Sequence, residues 1–548
     1  DQYFFYNTQT GSPQNLATTG DSLASMELGL PGTIYFAAQD FNFRFPSWAP
    51  FIEDKWQITP KLNLSLGLRY DYYSTPDLVK SMTSELDPAN GDWLIGGGTL
   101  PPACDVTNAA PCIPGNGMLA NISDGNKIVE AKNPNIGPNP VDDDFAPRIG
   151  VAWRPTERTV VRAGYGISYD TLAGLIQTFQ ANVGAWPDAT NTQLAFNALG
   201  SPLTTVQNLQ SLSASPLPTA TPWTVENWMY DPNIKPARSQ QWNVEIQRQM
   251  TKNLMLSLGY VGSNTDRLNV SGLFNVSPTA GLGAAGQPFP WASPTWMGES
   301  IGLANYNSLQ FEAKKQFSSG LQFLISYTYS KAMDNGGSGF FEAENGPGGS
   351  SVVENFYNLK DNWGLSAYDV TNYLSAAIQY QLPFGNGHRL ASSGMLSHLL
   401  GGWQFNSITS LRSGEPYNLD VLGDAADIND TLGVNYDRPN LVGDPNVANP
   451  TAAKYFNPKA FSIPVDAFGN FGQDELRSAA VYDEDFSLFK EIPIKESVSL
   501  ELRADAFNIF NIQNLDPPGV DIGTVDAGVV NGVAIEPRQF QLAMKLTF

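Results

Sequence analysis

The chain offers few side chains in the arrangements that catalysis requires. Its two histidines, His388 and His398, lie in one Gly- and Leu-rich segment without the His-Glu-x-x-His spacing of a zinc hydrolase. The stretch GPGGSS at 346–351 lacks the Lys-Ser/Thr end of a phosphate-binding loop, and no Gly-x-Ser-x-Gly elbow stands out. We therefore predict that the protein is not an enzyme and has no catalytic residue, no metal centre and no cofactor.

Carboxylates are abundant, and they concentrate in segments without periodicity, such as 142–144 and 424–430. The net charge of −22 argues against a nucleic-acid partner, because phosphate binding needs clustered Lys and Arg. A solvated acidic surface explains these runs. Calcium binding in the loops is an open alternative, although no EF-hand spacing occurs.

Two cysteines, Cys104 and Cys112, lie in one Pro-rich stretch, PPACDVTNAAPCIP, and no other cysteine occurs. Two cysteines in a single loop favour a loop-closing disulfide in an exported protein, while a reduced pair in a cytosolic loop is the alternative.

Two groups of polar and aromatic side chains could bind a ligand. Strand phase places the first group on one face of the predicted strands, where it could line a channel or form pairs between neighbouring strands: Arg69, Arg162, Glu501, Arg503 and Asp505. The second group consists of loop tryptophans that could stack on flat ligands or pack the loops together: Trp186, Trp223, Trp228, Trp291 and Trp296.

The elements that must position these residues are strands, because apolar and polar residues alternate along many segments. In LNLSLGLRYDYY, starting at Leu62, every second residue is Leu or Tyr, and the last segment, QFQLAMKLTF, alternates in the same way. About thirteen such segments occur, with a less certain one from Ile34 to Phe45. Short links alternate with long polar segments, so an antiparallel up-and-down all-β sheet is predicted.

Tight turns at one end and long loops at the other are typical of an outer-membrane β-barrel with periplasmic turns and extracellular loops. Hydrocarbon offers no hydrogen-bond partners, so a sheet that spans it must close on itself. The apolar faces are predicted to meet lipid and the polar faces to line an interior. The predicted location is the bacterial outer membrane, with membrane lipid as a partner.

Several segments resemble the barrels of TonB-dependent receptors, most closely the Oar-like branch. They are FIEDKWQITPKLNLSLGLRYDYY, FAPRIGVAWRPTERTVVRAGYGISYD, NYNSLQFEAKKQFSSGLQFLISYTYSKAMDN and SLELRADAFNIFN. The resemblance implies a barrel of about 22 strands, a plug inside it, energy supplied by the TonB complex, and a terminal aromatic, Phe548, that the barrel-assembly machinery reads.

The chain departs from that pattern in strand number and in the plug. We expect residues 1–32 to be an N-terminal loop segment and 33–548 to be the barrel portion of a longer receptor, with no plug domain in the chain. A complete barrel of about fourteen strands is the competing prediction. The predicted function is uptake of a bulky nutrient, whose extracellular ligand is unknown. The alternatives are a non-transporting adhesin or structural barrel and a passive porin.

Overall fold

Thirteen long strands dominate the part of the chain that the structure describes. The computed structural model describes residues 20–31, 46–74, 83–96, 139–170, 228–336, 353–385, 390–430, 437–495 and 498–548, with short pieces between them. The long strands are β1 Phe51–Thr59, β2 Leu62–Tyr73, β3 Val141–Thr156, β4 Thr159–Tyr169, β5 Arg238–Thr251, β6 Leu254–Phe274, β7 Thr295–Ser318, β8 Leu321–Asp334, β9 Asn372–Gln381, β10 Trp403–Arg412, β11 Val481–Lys495, β12 Val498–Phe507 and β13 Gln539–Thr547.

These strands form one sheet in which each long strand pairs antiparallel with its neighbours in the chain. The prediction of an up-and-down all-β fold is therefore confirmed. Strand β1 pairs only with β2, and β13 pairs only with β12, within the described part of the chain. All nine residues of each of these outer strands are exposed.

The short links lie at one end of the sheet and follow hairpin geometry. In the link between β7 and β8, Ser319 and Gly320 have φ angles of 52° and 79°, as a two-residue type I′ turn requires. A Cβ at Gly320 would lie 2.8 Å from the carbonyl oxygen of Gln381, so glycine is also needed for space. Such turns mark the periplasmic end in outer-membrane barrels.

The strand register sorts the side chains into an apolar and a polar face. One row of directly opposed residues crosses ten strands: Leu62, Trp153, Val161, Ile246, Leu258, Phe311, Tyr327, Leu374, Leu411 and Tyr482. A row on the opposite face crosses seven: Gln247, Ser257, Glu312, Ser326, Ser375, Ser410 and Asp483.

The apolar face is exposed, since Leu258 and Ile246 are each 48% accessible. Membrane barrels have an apolar outer face and a polar inner face, whereas soluble barrels have an apolar interior. The exposed apolar face of this sheet, opposite its polar face, follows the membrane arrangement. The predicted separation of an exposed apolar face from a polar face is confirmed, and lipid contact and an enclosed interior stay predictions.

One predicted strand is wrong. In the segment from Ile34 to Phe45, the described residues 34–35 and 42–44 add no strand to the large sheet. Thr33–Tyr35 pairs with Gln2–Phe4, and Asn42–Arg44 pairs with Asp77–Val79, in two separate small sheets. The alternation of this segment is short and interrupted, so pairing with segments outside the large sheet competes successfully for these residues.

The dry cores lie in the long-loop segments rather than in the barrel. One contains Leu86, Trp93, Met229 and Val270, and another contains Tyr417, Leu419, Phe456 and Phe471. Ser47–Trp48 precedes β1 and pairs with the end of β2 in the large sheet. The remaining short strands of the loop regions are Thr83–Leu86, Trp93–Gly96, Ile128–Glu130, Leu194–Ala195, Trp228–Tyr230, Asn345–Gly346, Gly349–Ser350, Gly364–Leu365, Pro416–Tyr417, Asp420–Val421, Asn440–Leu441, Phe461–Ser462, Leu476–Arg477, Asn514–Leu515, Asp521–Ile522 and Val533–Ile535.

Helices are few. Helix α1, Ser22–Glu27, begins after Asp21, whose carboxylate accepts hydrogen bonds from the amides of Leu23 and Ala24. Helix α2, Gly394–Leu400, lies between β9 and β10. Three single 3₁₀ turns cover Gly283–Gly286, Leu359–Asn362 and Pro458–Ala460. Neither helix in the described ranges has the length and apolar character to cross a bilayer.

Candidate functional site

The extracellular ends of β6 and β7 extend far beyond their neighbours and support the long loops. These strands have 21 and 24 residues, whereas about 9–11 residues span a bilayer. Asn275 fixes the connection between them. Its side-chain amide donates to the carbonyl oxygens of Ala292 and Phe289 at 2.8 and 3.0 Å, and its carbonyl accepts from the amide of Phe289 at 2.8 Å. These hydrogen bonds therefore hold the connection between β6 and β7 in one defined conformation.

A cavity of about 1120 Å³ lies where this hairpin meets the segments around residues 85–94, 129–139 and 356–359. Its size falls at or slightly above the upper end of the ordinary range for small-molecule sites. Phe274, Phe356 and Tyr357 give its wall apolar and aromatic surface. The acidic residues among the described lining are Glu85, Asp87, Asp92, Glu130, Asp231 and Glu299, and the only basic one is Lys132.

Glu85 is the most deeply buried of these acids, with 7% of its surface exposed. Burial raises the pKa of its carboxyl to about 8, with a smaller contribution from the charge of Asp87, while the backbone amide of Tyr230 opposes the shift by donating a hydrogen bond. A carboxyl with this pKa is largely protonated at neutral pH. It can donate a hydrogen bond, and it can ionise when a cation approaches.

The predicted interior residues lie on the polar face, and most pair with a residue on the same strand. In β2, Arg69 Nε donates to Asp71 at 2.7 Å, and in β12, Arg503 Nε donates to Asp505 at 2.8 Å. This Arg-x-Asp spacing puts both charges on one face because strand side chains alternate.

The two other predicted interior residues pair across strands. Arg162 donates to Gln247 and lies 3.9 Å from Glu245 on the neighbouring strand. Glu501 stands opposite Lys545 in register. Their role in ligand binding stays a prediction.

Trp291 and Trp296 pack inside the loop assembly. Trp296 is 5% exposed and belongs to a core with Leu273 and Ile428, and Trp291 packs against the core that contains Met229. The backbone of Trp228 pairs with that of Trp296. Trp186 and Trp223 lie outside the described residues, as do Cys104 and Cys112, so stacking on a ligand and the disulfide stay predictions.

The acidic runs have protein partners. Asp143 contacts Lys235 at 2.8 Å, Asp144 contacts Arg267 at 3.1 Å, and the carboxylate of Asp424 accepts from two backbone amides. Among the described residues no group of three His, Cys, Asp or Glu side chains is arranged around a common point. Calcium binding stays a prediction.

One Gly-x-Ser-x-Gly pentapeptide does occur, GESIG at 298–302. Ser300 lies within strand β7, beside a register shift in its pairing with β6, and its hydroxyl donates to the carbonyl oxygen of Lys235 at 2.7 Å. A nucleophile elbow needs a sharp turn from a strand to a helix, so this serine is a structural residue.

The buried ion pair of Glu354 and Arg438 was missed by sequence reasoning, as were Glu85 and Glu299 at the cavity. Glu85, Glu354 and Arg438 lie in the loop segments, and Glu299 lies at the loop end of β7. These parts of the sequence show no extended hydrophobic periodicity, and the residues that they contact are far away in the chain. No local signal marks them.

A family model described as an outer membrane beta barrel domain matches residues 1–541 of the chain. No curated protein matches the chain.

Among solved structures, the chain is similar to the ferric-catecholate import receptor Fiu from K12 E. coli, with 12% identity, 92% of this chain and 45% of that chain covered, and a TM-score of 0.38. It is also similar to the ferripyoverdine receptor of Pseudomonas aeruginosa, with 10% identity, 97% and 40% covered, and a TM-score of 0.42. The transporter YddB from Escherichia coli gives 10% identity, 92% and 55% covered, and a TM-score of 0.43. The chain thus spans less than half the length of the first two.

Phe548, at the end of β13, is 93% exposed, as a residue facing lipid would be. Its reading by the assembly machinery stays a prediction. The antiparallel sheet with an exposed apolar face, its short turns and the match over nearly all residues agree with one another. The chain belongs to the outer membrane β-barrel domain family, and it lies in the bacterial outer membrane.

Proposed function

We propose that this chain is the barrel portion of a TonB-dependent outer-membrane receptor that captures a bulky nutrient among its extracellular loops and passes it along the polar face of the sheet. The observation that carries the proposal is the cavity of about 1120 Å³ inside a loop assembly with its own packed cores. A partly enclosed cavity among the loops favours capture of a ligand over free passage through an open pore.

The chemistry of the cavity suggests the ligand class. Six carboxyl groups against one lysine favour a ligand with positive charge or several hydrogen-bond donors, and the aromatic wall accommodates an apolar part. We propose that Glu299 and the neighbouring acids orient the ligand, and that the charged pairs of the polar face, Arg69 with Asp71 and Arg503 with Asp505, line the way inward.

The test is uptake in the native host, with the complete gene. Strains that lack this gene, or lack TonB, are compared for growth on a panel of iron chelates, cobalamin and oligosaccharides as limiting nutrients. A TonB-dependent receptor predicts that both deletions abolish use of the same nutrient and that the plasmid-borne gene restores it. Loss in the gene deletion alone would indicate a porin, and no loss in either strain would indicate an adhesin.

A site variant connects uptake to the cavity. We expect Glu299→Gln to reduce uptake of the nutrient identified in this way while surface expression stays unchanged. Asp444→Asn is the matched control, because Asp444 is an exposed loop carboxylate held by Asn446 and lies outside the cavity lining. Equal uptake by both variants would contradict a role for the cavity.

A further inference from the structure

Helix α2 exposes a continuous apolar stripe at the periplasmic end of the sheet. Met395 is 80% exposed, Leu396 61%, Leu399 58% and Leu400 43%, whereas Ser397 is buried. Positions i, i+1, i+4 and i+5 fall on one side of a helix, so the four apolar side chains form one face, and Ser397 points to the protein.

The helix lies on the lipid side of the barrel wall. Lys490 in β11 is directly opposite Trp403 and Leu502, and it shares their face of the sheet, the apolar one. Its ammonium group donates to the carbonyl oxygens of His398, Leu399 and Gly401 at 3.1, 2.8 and 2.9 Å. Side chains that point outward from the wall can hold only what lies outside it.

Trp403 holds the helix from the same face. Its indole Nε1 donates to the carbonyl oxygen of Leu399 at 3.0 Å, and the Lys490 ammonium lies 4.9 Å from the centre of its ring. A lysine on the lipid face is costly, and the carbonyls at the end of α2 satisfy its three donors. Lys490 is consequently 8% exposed.

Two glycines allow close backbone packing of the segment that connects β9 to β10 against itself and against β11. A Cβ at Gly385 would lie 2.6 Å from the Cα of Gly401, and one at Gly402, where φ is +75°, would lie 2.4 Å from the carbonyl oxygen of Glu491. The position of α2 is therefore set by close backbone packing as well as by hydrogen bonds, and its apolar face is held outward.

We propose that α2 is an interfacial anchor that inserts Met395, Leu396, Leu399 and Leu400 among the phospholipids of the periplasmic leaflet. The stripe continues the lipid-facing band of β9 to β11 at the level of the membrane boundary, where short amphipathic helices lie in the plane of the bilayer. The inference rests on the outer-membrane location and is independent of transport.

The experiment places a bimane fluorophore on single cysteines in the full chain, in a background with Cys104→Ala and Cys112→Ala. Leu396→Cys and Leu399→Cys report on the apolar face, and His398→Cys is the control on the same helix, because its exposed side chain lies roughly 160° around the helix axis from Leu396 and about 100° from Leu399. The proteins are reconstituted in vesicles of phosphatidylethanolamine and phosphatidylglycerol, with or without phospholipid that carries a nitroxide at carbon 5 of the acyl chain.

We expect blue-shifted emission and several-fold stronger nitroxide quenching at 396 and 399 than at 398. Water-like emission with equal quenching at all three positions would overturn the proposal. The apolar stripe would then be available to bind a periplasmic protein. Heat-modifiable migration on a gel verifies folding of each variant. If Leu396→Cys does not fold, Leu400→Cys carries the same test, because that exposed side chain also lies roughly 160° around the helix axis from His398.

Discussion

The ion pair between Glu354 and Arg438 joins two long loops. The side chains are 1% and 4% exposed, and Arg438 Nε lies 3.0 Å from Glu354 Oε2. Glu354 Oε1 also accepts from the backbone amides of Arg438 and Gly469, both at 2.9 Å, and Arg438 Nη1 donates to the carbonyl oxygen of Asp361 at 2.7 Å. A pair this well satisfied fixes the loops relative to each other.

Removing one partner should loosen the loops. We predict that Arg438→Met destabilises the loop assembly by about 3–5 kcal/mol, because the Glu354 carboxylate remains buried without its counter-charge. Urea unfolding followed by tryptophan fluorescence measures the loss. Lys235→Met, which breaks the exposed pair with Asp143, is the control and should cost at most about 1 kcal/mol. Equal losses for the two variants would contradict the prediction.

Buried loop carboxyls should make the loops less stable at alkaline pH. Burial raises the pKa of Asp420 to about 8 and that of Asp437 to about 7, and Asp521, opposite Asp420 in register, adds to the first shift. In the unfolded chain an aspartate has a pKa of about 3.9, so between that pH and the raised values the folded state holds extra protons. Stability therefore falls as pH rises through this window.

The urea midpoint of the loops should be higher at pH 5 than at pH 8. Asp420→Asn should flatten this dependence, because the amide cannot ionise in either state. Asp444→Asn should leave the dependence in place, because hydrogen bonds from Asn446 lower the pKa of that exposed carboxyl. An unchanged slope in Asp420→Asn would rule out Asp420 as its source.

At the level of elements, neighbouring residues on one strand should differ sharply in their tolerance of charge. Phe311 belongs to the apolar row, and Gln310 belongs to the polar face, in the same part of β7. We predict that Phe311→Arg costs about 2–4 kcal/mol in a bilayer, whereas Gln310→Arg costs little. Urea titration of folded protein in lipid vesicles compares them. A larger loss for Gln310→Arg would reverse the assignment of the faces.

At the level of the whole molecule, the sheet has two outer strands. Among the described residues, strands β1 and β13 each pair on one side, and an unpaired edge cannot persist in hydrocarbon. If each edge receives a further strand, cysteines on the two edges should remain apart. We predict that the pair Trp56→Cys and Met544→Cys forms no disulfide in the membrane.

The control for that experiment is the pair Leu500→Cys and Leu546→Cys, whose residues are directly opposed in β12 and β13. This pair should cross-link readily, because opposed Cβ atoms lie within disulfide reach. Both pairs are made with Cys104→Ala and Cys112→Ala. Efficient cross-linking of Trp56→Cys with Met544→Cys would demonstrate a sheet that closes on itself with thirteen strands.

The sequence by itself determined the long strands, their phases and the end at which they turn. The pleat of a strand sends successive side chains to opposite faces, so the amino-acid sequence of a strand such as β2 or β13 indicates which residues share a face. The uncertain segment from Ile34 to Phe45 shows the limit of this signal, because its short interrupted alternation allows pairing with segments outside the large sheet.

Only the tertiary structure decided what the loops build. Arg438 contacts Glu354 across 84 positions of the chain, and the cavity joins acids from segments as distant as Glu85 and Glu299. The same holds for Lys490, which the strand register places on the apolar face and whose ammonium group binds the carbonyl oxygens at the end of α2. These contacts leave no periodic pattern in the sequence, because they depend on which distant segments meet in the folded protein. The packing of the whole loop assembly determines which segments meet.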